Sequence, residues 1–164
     1  MKTEIAVNIR KGTKEDLPAI LQLVHELAEF EKAPDAITNT LSMMEEEGFG
    51  KRPVFEFYVA EKDGEVIGMA LFFVKYSTWK GAGLYLDDLI VREKYRGAGI
   101  GTKLFNTYLL EAKRMNAKQA HWQVLDWNTP AIDMYKKAGA SVEAEWLDCK
   151  MNEEEIQAYL DKLN

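Results

Sequence analysis

Two aspartates, Asp87 and Asp88, stand side by side in the apolar run GLYLDDLIV, and the glycines of RGAGIG follow at 97, 99 and 101. Adjacent carboxylates among leucines can attract a cation and then accept a proton from it, directly or through water. In strict strand alternation the two point to opposite faces, so only one reaches a given cleft unless a bulge intervenes. A solvent-exposed pair on an edge strand is the plainer reading, but Leu84, Leu86, Leu89 and Ile90 around them argue for burial. Glycines between a strand and a helix let a phosphate approach backbone N–H groups at the positive helix end; a tight turn without ligand is the alternative. The spacing excludes two nucleotide motifs. A triphosphate loop would end Gly-Lys-Ser/Thr, whereas this chain reads Gly101-Thr102-Lys103. A dinucleotide fingerprint would space its glycines G-x-G-x-x-G.

The elements that must position these residues follow from periodicity. IAVNIR reads as an opening strand, and a helix begins after Thr13, with Asp16 three residues on and Ile20, Leu21, Val24, Leu27 and Ala28 on its apolar face. A shorter helix is predicted over 38–47, stopped by Gly48. VFEFYVAE, the Asp63-Gly64 pair and VIGMALFFVKY form a hairpin. Residues 83–91 form the acidic strand, residues 100–115 an amphipathic helix, and residues 119–125 a further strand. Next come a helix with Pro130 in its first turn, a strand over 142–151, and a last helix capped by Asn152. The order is mixed α/β in one domain, 1–164, with no internal repeat, linker or low-complexity segment.

Composition narrows the partners. A net charge of -6 and a pI near 5.1 argue against nucleic acid or an anionic membrane surface and favour a cationic ligand. No run approaches the roughly 18 apolar residues of a membrane span. One cysteine, Cys149, cannot form an intrachain disulfide, and the N-terminal segment lacks the apolar core of a signal peptide, so a cytoplasmic setting is expected. His25 and His121 have no carboxylate at ligand spacing, and no metal site is expected. Cys149 reads as a free, partly buried thiol.

R-x-x-G-x-G, here Arg96, Gly99 and Gly101, resembles the acetyl-CoA pyrophosphate loop of the GNAT superfamily of N-acetyltransferases. Together with HELAEFE, EEEGFG, LYLDDLIV, WNTPAIDMYKKAGA and the late tryptophan of EAEW, the sequence resembles the diamine (spermidine/spermine) N-acetyltransferase branch over nearly its whole length. The resemblance implies a strongly bent mixed sheet flanked by helices, whose fourth and fifth strands splay apart to admit the pantetheine arm. It implies acetyl-CoA as cosubstrate, held by the backbone of Leu89, Ile90 and Val91, by Arg96, Gly97, Gly99, Ile100 and Gly101, and by Asn128. Read alone, Asn128 is a helix N-cap before Pro130. The branch places a glutamate base where this chain has Asp87, one methylene shorter, which favours a water relay. Tyr135 matches the tyrosine that protonates the departing thiolate; as an isolated aromatic it would be packing. Glu31, Trp79 and Asp88 match substrate contacts. Branch members are usually homodimers, and Trp146 and the last helix are the candidate contact.

The expected reaction is transfer of acetyl from acetyl-CoA to a primary amine of a small cationic, diamine-like metabolite by direct attack on the thioester. One position departs from the branch: YSTW carries Ser77 where the polyamine enzymes carry aspartate, so a contact for a distal ammonium is missing. This brings in an amino acid or analogue such as thialysine as the second reading. From another class, a non-catalytic acyl-CoA-binding module would not need both Asp87 and Tyr135, and a nucleotide-binding domain would release bound CoA to ATP.

Overall fold

The computed structural model describes residues 6–163, which form two compact units, one running to Gln123 and the other beginning at Val124. The first unit is built on a five-stranded sheet in sequence order: β1 (Asn8–Lys11), β2 (Glu56–Lys62), β3 (Glu65–Ser77), β4 (Gly81–Val91) and β5 (Ala120–Trp122). All pairs are antiparallel except β4 with β5. Asp63 and Gly64, at φ 51° and 79°, close the β2–β3 hairpin with the two left-handed residues that a two-residue turn demands.

Helices cover both faces. On one, Leu17, Ile20 and Leu23 of α1 (Leu17–Phe30) and Met44 of α2 (Leu41–Phe49) bury against Met69, Leu71 and Ile90. On the other lies α3 (Ile100–Arg114), whose Leu104, Phe105 and Tyr108 are essentially inaccessible. The Tyr108 hydroxyl donates to the carbonyl of Leu84 at 2.7 Å, and the Phe105 ring meets Trp122 edge-on at 5.1 Å. Buried phenols need such a partner, and this one ties the helix to β4.

α2 starts at Thr40, whose hydroxyl accepts from the Met43 N–H at 3.2 Å, and continues past Gly48. That glycine is not a stop signal: a Cβ there would lie 2.5 Å from the Phe55 ring. β5 is shorter than the run 119–125. It pairs with β4 only at Leu84, Tyr85 and Leu86, so among the described residues β4 from Asp87 to Val91 has no ladder partner on that side. The splay that the resemblance implied would begin where this ladder ends, at Leu86 and Trp122.

The second unit contains α4 (Thr129–Lys137) and α5 (Glu153–Leu160). α5 begins as read, with the Asn152 side chain accepting from Glu155 N–H and Glu155 returning the bond to Asn152 N–H, both 2.8 Å. The strand expected over 142–151 is instead exposed coil. Its alternating pattern signals fitness for a sheet, and the unit offers no sheet to join. Cys149 is therefore exposed rather than partly buried.

The helical entry is fixed by charge. Thr13 N–H donates to the Asp16 carboxylate at 2.8 Å, and Arg10 grips Asp16 at 2.7 and 2.8 Å and Glu61 at 2.8 Å. Asp16 is 7% exposed, and the Arg10 bonds hold its pKa below the ordinary carboxylate value. This contribution is present above the unfolded-chain pKa and lost as pH falls through the lower folded value. Asp16→Ala should cost about 3 kcal/mol at pH 7, since it leaves Arg10 half-satisfied. Urea melts across pH 3–7 check it: the wild-type advantage shrinks toward the acid end.

Candidate active site

β3 and β4 pair in register from Ser77 opposite Gly81 to Phe72 opposite Leu86, but Leu71 lies opposite Asp88. Asp87 is the extra residue of a β-bulge. Alternation, which should part the two carboxylates, fails at this step, and both line one cavity of about 430 Å³. Its walls are Leu21 and Val24 of α1, Met44 and Glu47 of α2, Asn39 before α2, and Leu71 and Phe73 of β3.

Burial sets the electrostatics. The Asp88 carboxyl is pushed up to about 7, first by burial, then by the charges of Asp87 and Glu31. Burial also raises Asp87. Glu31 sits at the C-cap of α1, close enough for its charge to reach Asp88. Three carboxylates thus act on one space, and a cation entering it would relieve their repulsion. Asp88, near neutrality, lies where a general base is most useful, and Asp87 beside it is coupled to it by charge.

A larger cavity of about 680 Å³ opens beside β2 and β3, lined by Phe49, Phe55, Phe57 and Phe72. Its charged residues, Lys11 and Glu56, neutralise each other at 2.5 Å. Unlike the smaller cavity, it holds no carboxylate pair.

After β4 the chain turns through Glu93–Tyr95 and enters α3. Gly97 and Gly99 both have φ 77°, a region that costs other residues roughly 1–2 kcal/mol. Gly99 is the N-cap of α3 and offers no side-chain cap. A Cβ on Gly99 would meet only open space, so its absence leaves room for a group over the helix start. The first N–H groups of a helix have no intrahelical partner and suit a pyrophosphate. Arg96 Nε donates to the Val91 carbonyl at 2.8 Å while its guanidinium lies 4.8 Å from the Phe30 ring centre, clamping the loop onto the end of β4. Ile100 is buried, and Gly101 sits near Val91, where a Cβ would be 3.8 Å from its side chain. Leu89, Ile90 and Val91 lie on the stretch of β4 without a β5 ladder.

In the second unit, Tyr135 is 6% exposed and burial pushes its phenol up to about 12. Asn128 occupies the N-cap position of α4, yet its side chain makes no cap bond. Trp79 stands 85% exposed on the β3–β4 turn, roughly 20 Å of strand from Asp88; it is not brought to the carboxylates. The Ser77 hydroxyl accepts from the N–H groups of Trp79 and Lys80, both at 3.2 Å, and shapes that turn. Sequence reasoning missed Asn39, Glu47 and Phe73. Helical spacing of Glu47 from buried Met44 was the available signal for Glu47. No cluster of three or more possible metal ligands occurs among the described residues, and no described helix is long and apolar enough to cross a membrane.

A carboxylate whose pKa is raised on folding destabilises the fold once pH exceeds its unfolded value of 3.8, and the loss is complete above about 7. Asp88→Asn should therefore raise the thermal midpoint at pH 8 by several degrees, with the difference vanishing below pH 4. Turnover should fall at the same time. An unchanged midpoint at pH 8 would show that Asp88 is not held against its charge.

Comparison with known proteins places this geometry. The model of the Acetyltransferase (GNAT) family matches residues 19–140. A thialysine N-epsilon-acetyltransferase of Bos taurus is 39% identical over 153 residues, covering 87% of this chain and 90% of that protein. The spermidine/spermine N(1)-acetyltransferase-like protein 1 of Homo sapiens is 32% identical, covering 90% of this chain and 23% of that protein. Among solved structures, an integron cassette protein from the mobile metagenome of V. cholerae superposes with a TM-score of 0.76 at 20% identity, covering 95% of this chain and 98% of that one. Family model, relatives and fold agree: the chain belongs to the GNAT family and is an acetyl-CoA-dependent N-acetyltransferase.

Proposed function

We propose that the enzyme acetylates a terminal primary amine of a small cationic metabolite, and that a lysine-like amino acid of the thialysine type fits better than a long polyamine. The observation that carries the reading is the bulge that turns both aspartates into one cavity. The diamine reading keeps Glu31 and Asp88 as the substrate mouth and leaves Trp79 apart from it on the β3–β4 turn. Ser77 in place of an aspartate, and relatives named for thialysine, favour the amino acid.

Acetyl-CoA supplies the acetyl group as an activated thioester. An amine of pKa near 10 arrives as ammonium. Asp87, Asp88 and Glu31 attract it, and the coupled aspartates take its proton, with Asp87 acting through a water because it is short. Backbone N–H near Leu89 faces the developing oxyanion. The loop from Arg96 to Gly101, the backbone of Leu89 to Val91 and the uncapped Asn128 amide hold the carrier. Tyr135 is the acid. With its phenol near 12 it stays protonated throughout the working range and donates a hydrogen bond to the sulfur as charge develops, completing transfer only as the bond breaks.

The test is CoA release near pH 8 with putrescine, spermidine, spermine, thialysine, lysine and ornithine. Turnover greatest with thialysine or lysine is expected. Turnover confined to diamines and polyamines would return the substrate to the first class, and CoA binding without turnover on any amine would leave an acyl-CoA-binding module. Tyr135→Phe should lower kcat about 100-fold with little change in KM; unchanged turnover removes it from the mechanism. Ser77→Asp keeps an acceptor for the two turn N–H groups while adding charge, so kcat/KM for spermidine should rise. A homodimer is also proposed, with Trp146, 79% exposed, and the apolar residues of α5 as contacts; light scattering should give twice the chain mass.

A further inference from the structure

The sheet face that carries Asp88 continues past the cavity in a definite order. Along β3, Leu71 lies opposite Asp88, Phe73 opposite Tyr85 and Lys75 opposite Gly83, while His121 of β5 lies opposite Tyr85. The rings of Phe73 and Tyr85 are 5.1 Å apart, and Tyr85 meets His121 edge-on at 5.0 Å. Lys75 is exposed, and its Nζ lies 3.0 Å from His121 Nδ1 and 5.1 Å from the Tyr85 ring centre. Among the described residues no carboxylate pairs with Lys75. Phe73 also lines the carboxylate cavity, so the face reads carboxylates, aromatic floor, cation. Four residues of strand separate Leu71 from Lys75, about 13 Å, a span shortened at both ends by the side chains.

We infer that Lys75, steadied by His121 and Tyr85, is the specificity-determining residue that receives the carboxylate of an ω-amino acid whose terminal amine sits between Asp87 and Asp88. This rests on the proposed amine acetylation and deepens it by naming the second recognition point. A substrate with an ammonium at one end, a short aliphatic or thioether chain and a carboxylate at the other matches the face in charge order. The chain lies over Phe73 and Tyr85, and the carboxylate accepts a charge-assisted hydrogen bond from Nζ. A diamine brings a second cation and no anion to Lys75, and like charge opposes it; in lysine or thialysine the α-carboxylate cancels the α-ammonium beside it and supplies the acceptor. His121 accepts from Nζ through Nδ1, which orients the ammonium without neutralising it, and the ring face of Tyr85 adds a cation–π contact.

The matched pair lysine and cadaverine, identical but for the carboxylate, isolates this contact. In Lys75→Ala, kcat/KM for lysine or thialysine should fall at least about tenfold, mostly through KM. That for cadaverine should rise, and Lys75→Glu should carry the preference further toward cadaverine. Lys75→Arg should restore most of the lysine activity, which a merely structural role would not produce at this exposed position. If the wild type acetylates lysine or thialysine and the lysine-to-cadaverine ratio is the same in Lys75→Ala, the inference about Lys75 is overturned while the amino-acid reading stands. If the wild type turns over diamines and no ω-amino acid, both fall. If CoA is bound and no amine of either kind is acetylated, the catalytic reading falls first and this one with it.

Discussion

The site depends on one extra residue in β4. A strand that alternates strictly would send Asp87 and Asp88 to opposite faces, one of them into the layer beneath α3. With Asp87 bulged out of register, Leu86 keeps its place opposite Phe72 and Asp88 returns opposite Leu71. The pairing on either side is undisturbed, so the acidic pair costs one ladder position and no packing. Bulges gather beside active sites for this reason: they re-aim a side chain without rebuilding the sheet.

The cavity that receives the pair is made by the helices. Leu21 and Val24 present the flank of α1, next to the buried line of Leu17, Ile20 and Leu23. Their apolar surface keeps water off Asp88, and that desolvation is the main reason its carboxyl is pushed up to about 7. The same burial that makes the acid chemically useful holds a charge where the fold would prefer none, so function and stability pull on one residue in opposite directions. The Arg10, Asp16 and Glu61 network works the other way, with each charge answered by hydrogen bonds.

In the proposed mechanism β4 serves two ends of one reaction. Its early residues pair with β5, its middle carries the carboxylates, and its last residues lack a β5 ladder before the chain enters the glycine turn. On the proposed reading, substrate recognition and carrier binding are set by one strand, so the distance between them does not depend on a loop. Arg96 reinforces this by bonding the Val91 carbonyl, so the turn is tied back to the strand it leaves.

Much of this was readable from the chain alone. The hairpin at Asp63-Gly64, the helix entry at Thr13 and Asp16, the Asn152 cap and the glycine turn are local devices, fixed by residues a few positions apart, and the sequence determined them. The motif order likewise pointed to the family. What the chain did not show is whatever needs a distant neighbour. Gly48 reads as a stop until Phe55 is seen against it. Residues 142–151 have a strand's pattern, yet they are exposed coil. The bulge at Asp87 depends on how β4 registers against β3, and the near-neutral acid depends on helices roughly forty to seventy residues upstream. Register and desolvation are properties of packed surfaces, and only the tertiary structure decides which surfaces meet.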